Sequence, residues 1–494
     1  MVHLSKSKYC DGVQCPKMLW LKKYRPDEFD SSVLNQAVLD TGNEVGDLAM
    51  GIFGEYTEVP FNENLGQMLE DTDTLMKQGV RTICEASFAY EGCFCSVDIL
   101  VNLGGGKVKL YEVKSSTKMD DRYFEDVAYQ NYVLTKLGYE VEGAYLVHLD
   151  NTYVRHGELE LDKLFCMEDL TEEARARFEQ VENNIAMLGK ILAESDEPEK
   201  DIGEQCFAHY SCGYFKHCTA SLPHPNVFDL SGVQTRTQLK CYRMGKVSYE
   251  DLLAEKKLVN DKARQQIRHE MSEIPADIDV EAIRAFLDTL SYPLYFLDFE
   301  SFAPAIPQFD DSKPYQQICF QYSLHYIEEE GGEVKHKEFL AYPREDPRRK
   351  LCEALCSDIP ENVCTLVYNH SFEKTRIKEM AELYPDLYEH LMNIHDNIRD
   401  LMVPFRDRSY YCRAMAGSFS IKYVLPALFP DDPELDYHNL EGVHNGSEAS
   451  AMFARMATME PEELERNRAH LLKYCGLDTL ATVKVWQKLV EVAG

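Results

Sequence analysis

At 494 residues the chain is long enough for about three domains. Its 45% apolar and 28% charged residues have the balance of a globular protein able to bury more than one core. The net charge of −32 argues against coating nucleic acid through broad electrostatics, while leaving room for local basic grooves. No run approaches the roughly 18 apolar residues of a membrane span, so no membrane partner is expected.

The first stretch, MVHLSKSKYCDGVQC, has no apolar h-region, so no signal peptide is expected and the chain reads as cytoplasmic. Sixteen cysteines in such a chain read as thiols or metal ligands rather than disulfides. Lys6, Lys8, Lys17, Lys22, Lys23 and Arg25 accompany Asp11 alone within residues 1–25. This basic cluster, and another at Arg344, Arg348, Arg349 and Lys350, reads first as a solvated face. Cys15-Pro16 opens an apolar helical run, where the missing proline N–H costs nothing. TGNEVGDLAMGIFG predicts a further helix, and TICEASFAY (82–90) a strand carrying Glu85 as an additional acid.

DILVNLGGGKVKLYEVK (98–114) reads as a β-hairpin turning on Gly104-Gly105-Gly106. With Gly105 central, residue 103 faces 107 and Asp98 lies opposite Glu112. Opposed Cβ atoms are about 4.5–5.5 Å apart, close enough to share a cation. Lys114 projects from the same face as Glu112. Two carboxylates and an ammonium converging in this way suit a hard divalent ion such as Mg²⁺. The following run, DRYFEDVAYQNYVL, is helical, with Asp126 and Gln130 one turn apart.

EGAYLVHLD (142–150) predicts another strand, and an acidic helix is expected over 171–195. Cys206, Cys212 and Cys218 then recur at equal spacing among aromatics. A fourth thiolate would complete a site for an iron–sulfur cluster or Zn²⁺, with Cys15 the first candidate and Cys10 the second. Residues 221–287 read as a helical connector ending in the linker-like MSEIPADIDV.

A new domain opens at LYFLDFE, a buried strand on which Asp298 and Glu300 share a face. An acidic pair there is costly unless paired or metal-bound. QICFQYSLHYIEE and HKEFLAYP read as strands, followed by a helix at 347–357. TLVYNHSFEKTRIKEMAELY reads as strand, turn and helix, with Asn369 and Glu373 at the turn, and Asp400 follows in IRDLMVPFR. Ser418 and Ser420 precede another helix. The last helix, AHLLKYCGLDTLATVKVWQKLV, sets Tyr474 and Asp478 on one face.

Residues 1–220 resemble a RecB-type PD-(D/E)XK nuclease with iron–sulfur cysteines, similar to the CRISPR-associated RecB-like exonucleases. Cys15-Pro16 matches the opening helix of that group, Asp98, Glu112 and Lys114 its D…ExK core, Gln130 its downstream glutamine, and Cys206, Cys212 and Cys218 its later cysteines. Gly46 lies near the place of a histidine ligand, and Leu134 stands where a Tyr is common. Residues 288–494 resemble a DEDD-type 3′–5′ exonuclease of the ribonuclease H-like fold. Asp298 and Glu300 fit its first motif, Asn369, Phe372 and Glu373 its second with Glu for Asp, and Tyr474 and Asp478 its third in the tyrosine variant. Asp400 is the alternative second-motif acid. DFESFAPAIPQF, PYQQICFQYSLH and GSFSIKYVLPAL resemble a bacterial family of uncharacterised two-domain proteins.

The resemblances imply an α/β protein of two nuclease domains joined by the connector. They imply Mg²⁺ or Mn²⁺ at two phosphodiesterase sites, a [4Fe–4S] cluster with Zn²⁺ as the alternative, and nucleic acid, DNA before RNA, as substrate. Tyr210, Tyr214 and Phe215 are candidates for stacking on single-stranded bases. The competing expectation is a nucleic-acid-binding adaptor with one or both acid sites vestigial.

Overall fold

The computed structural model describes residues 4–34, 36–208, 211–255 and 257–494. It divides into two compact units, Met1–Ser221 with Pro304–Gln316, and Leu222–Ala303 with Gln317–Gly494. The connector expected at 221–287 therefore counts with the second unit. The segment between the first two strands of the second sheet counts with the first. No helix among the described residues is long and apolar enough to cross a membrane.

The first unit begins with β1 (Leu4–Ser5), α1 (Lys6–Gln14), α2 (Pro16–Tyr24) and α3 (Gln36–Ala49). β2 (Thr57–Glu58), α4 (Leu65–Gln78), β3 (Thr82–Tyr90), β4 (Cys93–Gly104) and β5 (Lys107–Lys114) follow. Then come α5 (Asp121–Lys136), β6 (Glu140–Leu149), α6 (Leu161–Leu164), β7 (Phe165–Asp169), α7 (Thr171–Ala176), α8 (Phe178–Ala193) and α9 (Phe215–Thr219). Where one acidic helix was expected over 171–195, Arg177 separates two. The sheet order is β2-β3-β4-β5-β6-β7, with β1 pairing in parallel on β4. β5 and β6 are parallel, and α5 makes the crossover such a pair requires.

Strand alternation divides the core of this unit. Leu100 and Leu110 pack with Tyr9 of α1 and Val127 of α5, while Ile99, Val101 and Tyr111 pack on the other face with Val45 and Ala305. Asp98 and Glu112 share the parity of Leu100 and Leu110, so they face α1 and α5. Pairing of Ile99 with Tyr111 sets Asp98 across from Glu112, as the hairpin pattern predicts. The turn itself differs. Gly104, not residue 103, pairs with Lys107, after a register shift that follows Asn102. All three glycines have positive φ, 82°, 62° and 81°, which is why the tip is glycine throughout.

The second unit opens with α10 (Thr235–Arg243), α11 (Tyr249–Ala254), α12 (Asp261–Met271), β8 (Asp277–Ile278) and α13 (Val280–Leu287). The presumed linker thus carries a short strand, pairing with β14 (Tyr410–Tyr411). Between them lie β9 (Leu294–Phe302), β10 (Ile318–Ile327), β11 (Lys335–Leu340), α14 (Arg348–Asp358) and β12 (Cys364–Val367). α15 (Ser371–Leu383), α16 (Tyr388–Asp396), β13 (Ile398–Asp400) and α17 (Val403–Arg406) lead to β14. The chain closes with α18 (Ile421–Leu428), α19 (Gly446–Met456) and α20 (Pro461–Ala493). α20 starts eight residues before the expected helix, with Pro461 in its first turn.

The second sheet runs β11-β10-β9-β12-β13, antiparallel on one side of β9 and parallel on the other. β9 is central and buried on both faces, which explains its nearly unbroken apolar sequence. Leu294 and Phe296 pack against Leu477, Ala481 and Trp486 of α20; Tyr295, Leu297 and Phe299 pack with Leu351 and Ile377. Asp298 and Glu300 share the face of Phe296 and therefore look toward α20.

Candidate metal centres

In the first unit Glu112 is buried and fully engaged. Lys6 Nζ donates to both its oxygens at 2.8 Å, Lys114 Nζ to Oε1 at 2.7 Å, and Gln130 Nε2 to Oε2 at 2.6 Å. Lys114 also pairs with Asp126 at 2.6 Å. Asp98 Oδ2 accepts the Val113 N–H at 2.6 Å, and its Oδ1 is 3.9 Å from Lys6 Nζ. The four predicted residues thus converge, and Asp126 joins them. Burial and the Glu112 charge push Asp98 up. Burial also raises Glu112, but the Lys114 and Lys6 ammoniums outweigh it and hold that carboxyl low.

Glu85 is half-buried on β3. Pairing of Cys84 with Ile99 and of Ala86 with Val97 leaves it across from Asp98. Its φ of 55° is uncommon for a non-glycine residue in a strand. Burial and then the Asp98 charge push its carboxyl up to about 7. Gln130 Oε1 is buried without a partner, an acceptor a bound ion or water would satisfy. Sequence reasoning missed Lys6, seen only as one charge in a basic cluster.

In the second unit Asp298, Glu300 and Asp478 each offer an oxygen, all within 4.8 Å of one another; among the described residues this is the one such group. Burial, then Asp478, raise Asp298 and Glu300 well above the carboxylate range; Glu300 and Glu373 push Asp298 further, while Lys422 opposes the rise at Glu300. Burial also raises Asp478, against hydrogen bonds from Tyr437 and Tyr474 and the charge of Lys422. Glu373, in the first turn of α15, is buried; its charge also reaches Asp298. Its Oε2 has no partner, and burial pushes the carboxyl up to about 8. This collection of desolvated acids with an orphaned oxygen fits a hard cation's demand for carboxylate ligands.

Asp400 is occupied elsewhere. It accepts the backbone N–H groups of Asn369 and Met402, both at 3.0 Å, and meets His370 Nδ1 at 2.8 Å. It fixes the turn before α15, where Asn369 has a φ of 74°, and so aims the helix that carries Glu373. Tyr437 is a further residue sequence reasoning missed; its hydroxyl donates to Asp478 Oδ1 at 2.5 Å. Tyr437 also lines a cavity of about 710 Å³ with Lys422, Phe429, His438 and Asn445. Ser418 and Ser420 only shape the approach to α18, Ser418 Oγ accepting the Ser420 N–H at 3.2 Å.

Residues 295–420 match the family model of a domain of unknown function (DUF2779). That span holds Asp298, Glu300, Glu373 and Asp400 and stops short of Asp478. "Uncharacterized protein UU173" of Ureaplasma parvum serovar 3 is 30% identical over 170 residues, 32% of this chain and 24% of that protein. "Uncharacterized protein MG366" of Mycoplasma genitalium is 27% identical over 210 residues, 38% of this chain and 31% of that protein. The chain therefore spans about a quarter to a third of the length of these curated relatives. No solved structure matches it.

Cys15, Cys206, Cys212 and Cys218 line one small cavity of the first unit together with Met18, Tyr214 and Phe215. Burial raises the last three thiols, Cys218 to about 11. Cys10 is not among them, since its thiol donates to Asp126 at 3.0 Å. Tyr214 packs with Met18, Trp20 and Leu21 instead of standing free for a base. Phe215 lies 5.0 Å from Phe207, ring to ring, and Tyr210 falls outside the described residues.

The basic clusters are largely paired. Arg348 meets Asp346, Arg349 meets Glu353 and Asp386, and Lys350 meets Glu345.

Proposed function

We propose that this protein is a metal-dependent nuclease that hydrolyses phosphodiester bonds of nucleic acid, DNA before RNA. Its two acid sites are those of a RecB-type and a DEDD-type domain. The observation that carries this reading is the convergence of Asp298, Glu300 and Asp478; Glu373, whose buried Oε2 has no partner and whose charge acts on Asp298, stands outside that group of three. Bound Mg²⁺ or Mn²⁺ supplies Lewis acidity and an activated water at such a site. Asp298, Glu300, Glu373 and Asp478 would hold the ions. Tyr474 and Tyr437 orient Asp478, and Lys422 offers a positive charge to a phosphate entering by the adjoining cavity. In the first unit Asp98 and Glu112 would hold an ion, and Lys114 is placed to meet a phosphoryl oxygen.

The four cysteines fit an iron–sulfur cluster better than zinc. Zn–S bonds of about 2.3 Å set tetrahedral thiolates about 3.8 Å apart. No three of these thiols lie within 4.8 Å of one another, whereas a cluster, with a metal at each corner, holds them wider. Anaerobically purified protein is expected to be coloured, and a colourless zinc-loaded product counts against the cluster. All sixteen cysteines as free thiols suit the reducing cytoplasm.

A second reading, a nucleic-acid adaptor with a vestigial first site, draws on the saturation of Glu112 by two ammoniums and an amide. Separate and combined Asp98→Ala and Asp298→Ala variants, assayed on end-labelled single- and double-stranded DNA and RNA with Mg²⁺ or Mn²⁺, decide between them. Cleavage lost with Asp298→Ala supports the nuclease. Cleavage surviving the double variant removes both sites from the chemistry, and no cleavage by the wild type favours the adaptor.

A further inference from the structure

The first acid site already contains a cation of its own. Lys6, the first residue of α1, places Nζ 2.8 Å from both oxygens of Glu112 and 3.9 Å from Oδ1 of Asp98. It therefore bridges the two carboxylates that a divalent ion would share. Its backbone is anchored: Leu4 and Ser5 pair with Cys93 and Phe94, and Tyr129 Oη donates to the Leu4 carbonyl at 2.6 Å. The four-carbon stem can still move the ammonium. Around it, Asp98, Glu112 and Asp126 face Lys6 and Lys114, and Glu85 feels the Asp98 and Lys6 charges.

An ion seated on Asp98 and Glu112 with Lys6 in place would lie against the ammonium, and like charges that close repel strongly in a buried site. The acids of the second unit offer the contrast. Among the described residues no lysine or arginine makes a hydrogen bond or ion pair with Asp298, Glu300 or Asp478. We propose that Lys6 is an internal competitor for the cation position of the first site, and that divalent metal loads there only by displacing its ammonium. The second site then fills at lower metal concentration than the first. This rests on the proposed reading only in taking Asp98 and Glu112 as metal ligands; it needs no cleavage.

Lysine acetylation of the full chain, read by mass spectrometry across a Mn²⁺ titration, tests the displacement without any substitution. Lys6 is expected to be protected in chelator and to become reactive as Mn²⁺ rises. Unchanged Lys6 reactivity at saturating Mn²⁺ overturns the proposal. Calorimetry supplies the second measure, on an Asp298→Asn background that weakens the second site. There, Lys6→Met should bind Mn²⁺ about tenfold or more tightly than Lys6→Arg, which keeps the charge. Equal or weaker binding by Lys6→Met, the outcome a purely structural lysine gives, overturns it as well. Lys6 reactivity that follows Mn²⁺ in a protein without cleavage activity sustains this inference and removes the nuclease reading.

Discussion

Glu373 stands where the resemblance to the DEDD-type exonucleases implies an aspartate, yet it is an acid with an unmet need, its buried Oε2 lacking a partner. A buried carboxylate with an orphaned oxygen destabilises the ion-free protein, and a neutral amide of the same shape relieves that cost. Glu373→Gln should therefore raise the melting temperature in chelator at pH 8 by about 3–8 °C. The same change should weaken Mn²⁺ binding at the second site at least about tenfold, because an amide oxygen carries no charge for the ion. Melting curves with and without Mn²⁺ separate these opposite effects. Tyr437 acts through Asp478. Tyr437→Phe removes a hydrogen bond to a charged group, typically worth about 1.5–3 kcal/mol. In the proposed reaction kcat should fall about tenfold or more while KM stays nearly constant, which steady-state kinetics reads directly. A change confined to KM would place Tyr437 in substrate binding instead.

Secondary elements bring the acids together, and one turn matters more than its acid's motif position implies. Asp400 accepts two backbone N–H groups and the His370 imidazole at the start of α15. Asp400→Ala should cost about 2–4 kcal/mol in urea unfolding and weaken Mn²⁺ binding at the second site, because Glu373 loses its aim. Much of the rest was legible from the sequence. The glycine tip and period-two pattern gave the pairing of Asp98 with Glu112, since register follows from alternation and turn length. Asp298 and Glu300 two apart on a strand, and Tyr474 and Asp478 four apart on a helix, declared their shared faces by spacing alone. The one-residue shift at Gly104 was not legible, because three consecutive glycines permit several turns. Lys6 and Tyr437 escaped for another reason. They meet Glu112 and Asp478 across 106 and 41 residues, and no local pattern encodes such a meeting.

Taken together, the raised acids make stability depend on pH in an unusual direction. A carboxyl whose native pKa lies above its unfolded value binds its proton more tightly when folded. Stability is then full below the unfolded pKa and is lost as pH climbs toward the native one. Glu373, moved from 4.5 to about 8, accounts for up to about 5 kcal/mol of that loss, and Asp298, Glu300 and Asp478 move the same way. In chelator, unfolding free energy from urea titrations should fall between about pH 5 and pH 8. Saturating Mn²⁺ should flatten the slope by taking the place of the protons. A rise over that interval in chelator would mean that the acids are not desolvated together.

The excursion of Pro304–Gln316 into the first unit bears on how such a chain can be inherited. Ala305 sits among Tyr111 and Val147, Arg155 binds the carbonyls of Pro307 and Gln308, and Tyr315 donates to the carbonyl of Ser115. A gene cut once after Ser221 would encode a front half with a hole in its hydrophobic interior and three broken anchors. Separation into freestanding proteins would demand a replacement plug, so gain or loss of either half alone is an improbable evolutionary step.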